Sequence, residues 1–182
     1  MENKIGKGTL LIAMPMLNDP HFCQSVVLIC NEGPDGVLGI ILNRPTEVPI
    51  ATLIHDFPNL SEIERIYEGG PIAQNGMLVL CRGANNEQQD IIHNVSLASN
   101  LEALQQSDSN PFSSEIRCYL GYAGWKPGQL EAEIKTGAWE TLPANATLIF
   151  DADSGLLWPQ LIRRLGKQWA FYATMPANPS LN

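Results

Sequence analysis

An asparagine and an arginine stand side by side at Asn43 and Arg44, directly after an apolar run. The guanidinium of arginine presents a fixed fork of donors that fits a carboxylate or a phosphate, and asparagine adds a donor and an acceptor. Gly69 and Gly70 could bring bare backbone N–H groups to the same anion. These four residues predict an anion-binding site. The alternative is structural: Arg44 pairs with Glu68 or another acid, and the two glycines only turn the chain.

A glycine-rich stretch between Leu120 and Ile134 holds the second group of candidate binding residues. Trp125 and Gln129 in this stretch could form a stacking platform for a planar ligand or a base, with an amide beside it. The alternative is that Trp125 caps the core where a strand meets a helix, while the glycines supply left-handed turns. Both alternatives remain open from the sequence.

Two further pairs have residue types that enzymes use, but their spacing argues against catalysis. Glu131 and Glu133 are two residues apart in a predicted helix, so their carboxylates do not face one another. His21 and Cys23 are also two apart, and in an extended segment such neighbours point to opposite sides. The sequence therefore predicts no catalytic residue, no metal ligand and no cofactor.

Composition and charge limit the classes of partner. The chain has 182 residues, with 45% hydrophobic and 16% charged residues, which is typical of an ordinary globular protein of one domain. Its formal net charge of −8 disfavours direct nucleic-acid binding, because phosphates repel it at long range. A basic group at Arg163, Arg164 and Lys167 fits the last turn of a helix, where cations complement the helix dipole.

The spacing of the cysteines and the length of the apolar runs indicate the cellular compartment. The four cysteines form no CxxC pair, and no apolar run reaches the eighteen residues that span a bilayer. We therefore expect a cytoplasmic protein without a membrane segment. We expect one domain over residues 1–182, with a core of about 8–166 and a flexible tail over 175–182.

Apolar and β-branched runs predict the strands. The strongest, Ser25–Cys30, is expected to be buried on both faces, and it forms a hairpin with Val37–Leu42 across a turn. Gly39 inside the second run indicates a bulge or a close neighbour. Further strands are predicted at Thr9–Ala13, Ile66–Tyr67, Met77–Cys81, Ile116–Tyr122 and Thr147–Phe150.

Amphipathic spacing and capping residues predict the helices. Helices are expected at Ile50–Phe57, at about ten residues from Ser96, at Gln129–Lys135, and from Asp153 or Ser154 to Leu165. Gly166 ends the last helix, and Pro159 inside it raises the alternative that this proline marks the true first turn. Strands and helices follow no regular βαβ rhythm. We therefore predict an α+β domain with a mixed or antiparallel sheet.

Five segments, in order and at matching spacing, resemble the AlgH/YqgE family of bacterial proteins. They are Gly8–Pro15, Asp19–Phe22, Gly39–Pro45, Tyr67–Pro71 and Gly121–Glu131. The resemblance runs from about Gly8 to Gly166. It implies a single compact domain with a small closed, β-barrel-like sheet surrounded by helices. The family's best-known name comes from a proposed role in transcriptional regulation of alginate production.

These observations favour a non-enzymatic binding or regulatory module with a protein partner or a small anionic ligand. The alternative is a small-ligand sensor, or an enzyme that acts on a phosphorylated or carboxylated metabolite. In either case the working surface is expected to join Asn43, Arg44, Gly69 and Gly70 with the loop around Trp125.

Overall fold

In the part of the chain that the structure describes, nine strands join in one sheet. The computed structural model describes residues 5–48, 65–83, 90–99 and 115–175. The strands are β1 (Thr9–Ala13), β2 (Val26–Gly33), β3 (Gly36–Ile41), β4 (Ile66–Glu68), β5 (Ile72–Arg82), β6 (Asp90–Ile92), β7 (Val95–Ala98), β8 (Glu115–Trp125) and β9 (Trp139–Pro143).

The sheet is mostly antiparallel. Eight strands follow the order β6-β7-β5-β8-β3-β2-β1-β9, and every neighbouring pair is antiparallel. The short strand β4 lies off this path and pairs with β8 in parallel. The predicted α+β class with a mixed, largely antiparallel sheet is therefore confirmed.

The sheet is an open half-barrel, so the expected closed barrel is wrong. Its outer strands β6 and β9 do not pair with each other in the described part of the chain. They approach the same region, because a Cβ at Gly8 would lie 2.6 Å from a side-chain carbon of Ile92. The backbone of Gly8 is already used, however: its N–H donates to Ile29 and its carbonyl accepts from Ala144. The two edges of the sheet therefore meet through the side chain of Ile92, and no ladder of backbone hydrogen bonds between β6 and β9 closes the barrel in the described residues.

The central strands are buried on both faces. Along β1, Leu10 and Ile12 point into one apolar cluster, while Leu11 and Ala13 point into a second. Val26 to Cys30 of β2 are at most 3% exposed, which confirms the predicted doubly buried strand. Each face must therefore be covered by other elements.

Three α-helices follow β8 within residues 126–175, which the structure describes. They are α1 (Gln129–Lys135), α2 (Ala146–Phe150) and α3 (Ser154–Arg164), and two 3₁₀ turns follow at Lys167–Trp169 and Tyr172–Thr174. Helix α1 packs on the face with Leu11, whereas α2 and α3 pack on the face with Leu10. None of the described helices is both long and apolar enough to span a membrane.

The predicted strand at Thr147–Phe150 is wrong, because this segment forms α2. The side chain of Asn145 accepts a hydrogen bond from the N–H of Leu148 and caps the helix, which overrides the strand preference of the β-branched residues. Helix α3 begins at Ser154 with Asp153 as its cap, so Pro159 lies inside the helix and does not mark its first turn.

The prediction of a helix from Ser96 is also wrong over residues 96–99, the part of it that the structure describes. Val95–Ala98 is strand β7, in which Ser96 pairs with Cys81 and is 2% exposed. Ser96 is thus a buried strand residue between two neighbours, not a helix cap. The rest of that helix, the helix at Ile50–Phe57 and the tail beyond residue 175 lie outside the described residues.

The β2–β3 hairpin is confirmed, with a register shift between Ile29 and Asn31. A Cβ at Gly39 would lie 2.6 Å from a side-chain carbon of Val27. Gly39 therefore permits the close neighbour that its place in a strand predicted.

Candidate functional site

A cleft of about 290 Å³ opens where three segments of the chain meet. They are the β1–β2 connection, the residues after β3, and the first turns of α3. The lining residues are Pro20, Cys23, Gln24, Asn43, Arg44, Gly155, Trp158 and Pro159.

The side chain of Asn43 fixes the backbone of the β1–β2 connection at one side of the cleft. Its Oδ1 accepts a hydrogen bond from the N–H of Val26 at 2.8 Å, and its Nδ2 donates to the carbonyl of Gln24 at 2.9 Å. Gln24 has a left-handed backbone with φ of 53°, which is unusual for a residue other than glycine. The amide of Asn43 thus braces this turn, and Asn43 positions the cleft wall.

Arg44 is the charged residue of the cleft lining. It is half-buried, and its Nη2 donates to the carbonyl of Cys23 at 3.2 Å. The backbone of Arg44 accepts from the N–H of Glu68, but no carboxylate of the described residues is in ion-pair contact with its guanidinium. The expected alternative, a pair between Arg44 and Glu68, is therefore absent from the described part of the chain.

Helix α3 forms the opposite wall. Asp153 caps it, because its Oδ1 accepts a hydrogen bond from the N–H of Gly155 at 2.8 Å. Pro159 has no N–H, so it cannot donate the usual helical hydrogen bond to the carbonyl of Gly155 four residues earlier. Trp158 is 1% exposed, and its Nε1 donates to the carbonyl of Ala13 at 2.7 Å. This bond fixes the wall against the sheet.

Gly69 and Gly70 have a structural role at the junction of β3, β4 and β8. Both are buried, and the N–H of Gly69 donates to the carbonyl of Leu120. A Cβ at Gly69 would lie 2.3 Å from the carbonyl oxygen of Gly121, and one at Gly70 would lie 2.2 Å from the carbonyl carbon of Tyr122. The glycines allow two backbones to touch, and neither of them lines the cleft.

Trp125 and Gln129 belong to a separate polar cluster beneath α1. Trp125 is 4% exposed, and both its Nε1 and that of Trp139 donate to Oε2 of Glu133, at 2.9 and 2.8 Å. Gln129 donates to the other oxygen of Glu133 at 2.9 Å. The ring of Phe22 stacks on Trp125 with centroids 5.8 Å apart. Trp125 therefore caps the core, as the structural alternative expected.

The structure thus brings together two of the six predicted binding residues, Asn43 and Arg44. The other four, Gly69, Gly70, Trp125 and Gln129, are not among the residues that line this cleft.

Sequence reasoning did not select Gln24, Gly155, Trp158 or Pro159 as site residues. One signal was present, because Pro159 stands out in a helical segment and frees a backbone carbonyl there. The bonds from Gln24 to Met175 and from Trp158 to Ala13 join residues more than a hundred positions apart, and the periodicity of a single sequence cannot show such pairs.

Two of the cysteines, Cys30 and Cys118, are deeply buried. Burial raises the pKa of the Cys118 thiol to about 12 and also raises the pKa of Cys30, so neither forms a thiolate readily at neutral pH. His21 is exposed and does not line the cleft. The described residues contain no cluster of three or more side chains that could hold a metal ion.

An open antiparallel half-barrel flanked by short helices, with one arginine-lined cleft, defines the class of this protein as an α+β domain with a candidate small-ligand site. The chain belongs to the AlgH-like family, whose model matches residues 10–170. The resemblance in the sequence is therefore confirmed.

Relatives match over nearly their whole length. A UPF0301 protein of Thermobifida fusca is 36% identical over 187 residues, covering 96% of this chain and 94% of the relative. A UPF0301 protein of Chlamydia pneumoniae is 34% identical over 182 residues, covering 98% and 97%. These names describe no activity.

Two solved structures are similar. The solution structure of the AlgH protein from Pseudomonas aeruginosa has a TM-score of 0.67 at 27% identity, covering 97% of each chain. The crystal structure of a protein from Corynebacterium diphtheriae has a TM-score of 0.76 at 23% identity, covering 96% of this chain and 95% of that one. The second likeness concerns the fold alone.

Proposed function

We propose that this protein is a non-enzymatic binding protein whose cleft receives a small anionic ligand, with Arg44 as the charged anchor. The proposal rests on the burial and the hydrogen-bond partners of Arg44. Its guanidinium is half-buried in the cleft, gives one nitrogen to the carbonyl of Cys23, and has no acidic partner among the described residues. A partly desolvated cation attracts a carboxylate or a phosphate more strongly than an exposed one does.

The lining favours the binding of a ligand. The rigid parts of the lining, Asn43 and Trp158, are held by hydrogen bonds to backbone groups. Such a preformed cavity suits recognition of a ligand.

A regulatory role would follow from the contact between the cleft and the C-terminal end of the described chain. Gln24 lines the cleft, and its Nε2 donates to the carbonyl of Met175 at 3.1 Å. A ligand that moves Gln24 would therefore move Met175, which is 42% exposed. We propose that this signal reaches a protein partner in the cytoplasm, and that any link to transcription is indirect because the net charge of −8 repels DNA.

Thermal denaturation with a panel of small anions tests the proposal. The panel holds aliphatic and aromatic carboxylates, amino acids and phosphate monoesters, each measured by calorimetry against wild type and Arg44→Ala. At a concentration one hundred times its Kd, a true ligand adds about 2.7 kcal/mol to the free energy of unfolding. The Arg44→Ala variant should lose this gain. Arg163→Ala is the matched control, because Arg163 is exposed at the end of α3 and does not line the cleft.

Arg44→Lys separates binding from folding, since it keeps the charge but not the fork of donors. We expect it to fold and to bind the same ligand at least tenfold more weakly. Binding that is equal in wild type and Arg44→Ala would overturn the proposal, and so would a panel with no binder. Retention of the chain on DNA at low salt, lost steeply as salt is added, would replace the ligand site with a nucleic-acid site.

A further inference from the structure

Helix α3, which forms the wall opposite Arg44, has a backbone carbonyl that receives no hydrogen bond from the residue four positions later. In α3 the carbonyl of Gly155 would accept from residue 159, but Pro159 has no N–H. Gly155 and Pro159 both line the cleft. The helix therefore leaves a backbone acceptor at the cleft wall, two residues from the capping carboxylate of Asp153.

The two walls of the cleft thus offer a ligand different partners. Arg44 supplies a cation on one wall, and the Gly155 carbonyl supplies an acceptor on the other. The carboxylate of Asp153 caps the same helix, with its Oδ1 2.8 Å from the N–H of Gly155, although Asp153 itself does not line the cleft. A phosphate monoester carries close to two negative charges at neutral pH, and one arginine balances only part of that charge. A ligand with one negative end and one positive, hydrogen-bond-donating end can use both walls.

Part of the cleft lining is apolar. Pro20, Trp158 and Pro159 contribute rings or aliphatic surface, and the volume of about 290 Å³ is at the lower end for small-molecule sites. A ligand of this kind gains by placing a small hydrocarbon group against these rings.

From these three features we infer that the ligand is an α-amino acid with an apolar side chain. Its carboxylate binds the guanidinium of Arg44. Its ammonium group donates to the carbonyl of Gly155 and is attracted by Asp153, and its side chain packs against Trp158 and Pro159. This inference rests on the proposed function and names the ligand class of the same cleft.

A set of compounds with one hydrocarbon body tests the inference on the whole chain. L-leucine has both charged ends, 4-methylpentanoate lacks the ammonium group, and 3-methylbutylamine lacks the carboxylate. We expect calorimetry to show that L-leucine binds at least about tenfold more tightly than either, because each analogue lacks one of the two charged hydrogen bonds. A phosphate ester of the same body, 3-methylbutyl phosphate, should bind more weakly than L-leucine.

Two variants address the helical wall of the cleft. Pro159→Ala restores a helical N–H that donates to the Gly155 carbonyl. We therefore expect this variant to have an equal or higher melting temperature and to bind L-leucine more weakly. It also trims the apolar wall, so the readout is the ratio of the Kd of L-leucine to that of 4-methylpentanoate, which should rise about tenfold. Asp153→Asn keeps a good helix cap and should shift the ratio in the same direction. Asp35→Asn, in the exposed β2–β3 turn, should leave the ratio unchanged.

The outcomes separate the inference from the proposed function. If 4-methylpentanoate or the phosphate ester binds as tightly as L-leucine, and binding still requires Arg44, the amino-acid assignment is wrong while the anion cleft stands. If the ratio is the same in wild type, Pro159→Ala and Asp153→Asn, the role of the helical wall is wrong. If no compound of the set or of the wider anion panel binds, the proposed function fails as well.

Discussion

The indole Nε1 of Trp158 donates to the backbone carbonyl of Ala13 at 2.7 Å, across 145 residues of sequence. Both residues are almost completely buried, at 1% and 0% exposed. The bond joins helix α3 to the end of strand β1. Because Trp158 also lines the cleft, the same contact stabilises the fold and sets the position of the cleft wall.

Trp158→Phe should lower the free energy of unfolding by about 1–3 kcal/mol, because it leaves the Ala13 carbonyl buried without its donor while most of the ring volume remains. Chemical denaturation measures the change. Trp169→Phe is the control, since that half-buried indole makes no hydrogen bond with the described residues. Equal losses in the two variants would show that the bond to Ala13 contributes nothing specific.

Local patterns predicted many elements of the described fold. Thr9–Ala13 and Gln129–Lys135 have the bounds that their sequences indicate, because a short apolar run and an amphipathic run are each unambiguous. Thr147–Phe150 was misread because its β-branched residues outweighed the capping signal of Asn145. The sequence could not predict that the sheet is open. That depends on the hydrogen-bond partners of Gly8, which are Ile29 and Ala144 and not a residue of β6.

The site was predicted only in part, for a similar reason. Asn43 and Arg44 were chosen by chemical type, and both line the cleft. Trp125 was chosen in the same way, but its indole donates to Glu133 eight residues later and closes the core. Chemical type shows what a side chain can bind; only the fold shows whether a partner within the chain already occupies it.

The carboxylate of Glu133 is the common acceptor of Trp125 and Trp139. Glu133→Ala should lower the free energy of unfolding by about 2–3 kcal/mol, because two largely buried indole N–H groups lose their acceptor. It should also shift tryptophan fluorescence, as both rings gain contact with water. Glu131→Ala, on the exposed side of the same helix, is the matched control. An unchanged emission spectrum in Glu133→Ala would contradict this account of the cluster.

Gly70→Ala tests whether the double glycine is structural. The new Cβ would lie 2.2 Å from the backbone of Tyr122, and Gly70 has a φ of 153°, so we expect a loss of about 2–4 kcal/mol in the free energy of unfolding. Gly33→Ala should be nearly neutral, because no atom lies within 4 Å of a Cβ there. If Gly70→Ala keeps full stability but loses an anion that wild type binds, the glycines belong to a binding site after all.

The pair formed by Asp151 and Arg82 predicts a pH-dependent contribution to stability. The hydrogen bond from Arg82 holds the pKa of Asp151 below its ordinary value of 3.8. A carboxylate with a lowered pKa in the folded state stabilises the protein above the unfolded value, and this contribution disappears as pH falls through the lowered pKa. The stability difference between wild type and Asp151→Asn should therefore be constant from pH 7 to about pH 5 and should decline as pH falls below 3.8 and through the lowered pKa.

Salt identifies the origin of that difference. Both side chains are partly exposed, at 30% for Arg82 and 45% for Asp151, so the difference at pH 7 should be small and should shrink further in 1 M sodium chloride. Denaturant midpoints of the two proteins at each pH and salt concentration give the measurement. A difference that does not decline at all as pH falls below 3.8 cannot come from the charge of Asp151, because the unfolded carboxyl takes up its proton there before the folded one does. In that case the substitution would act through the packing of α2 against β5, and the ion pair would have no part in stability.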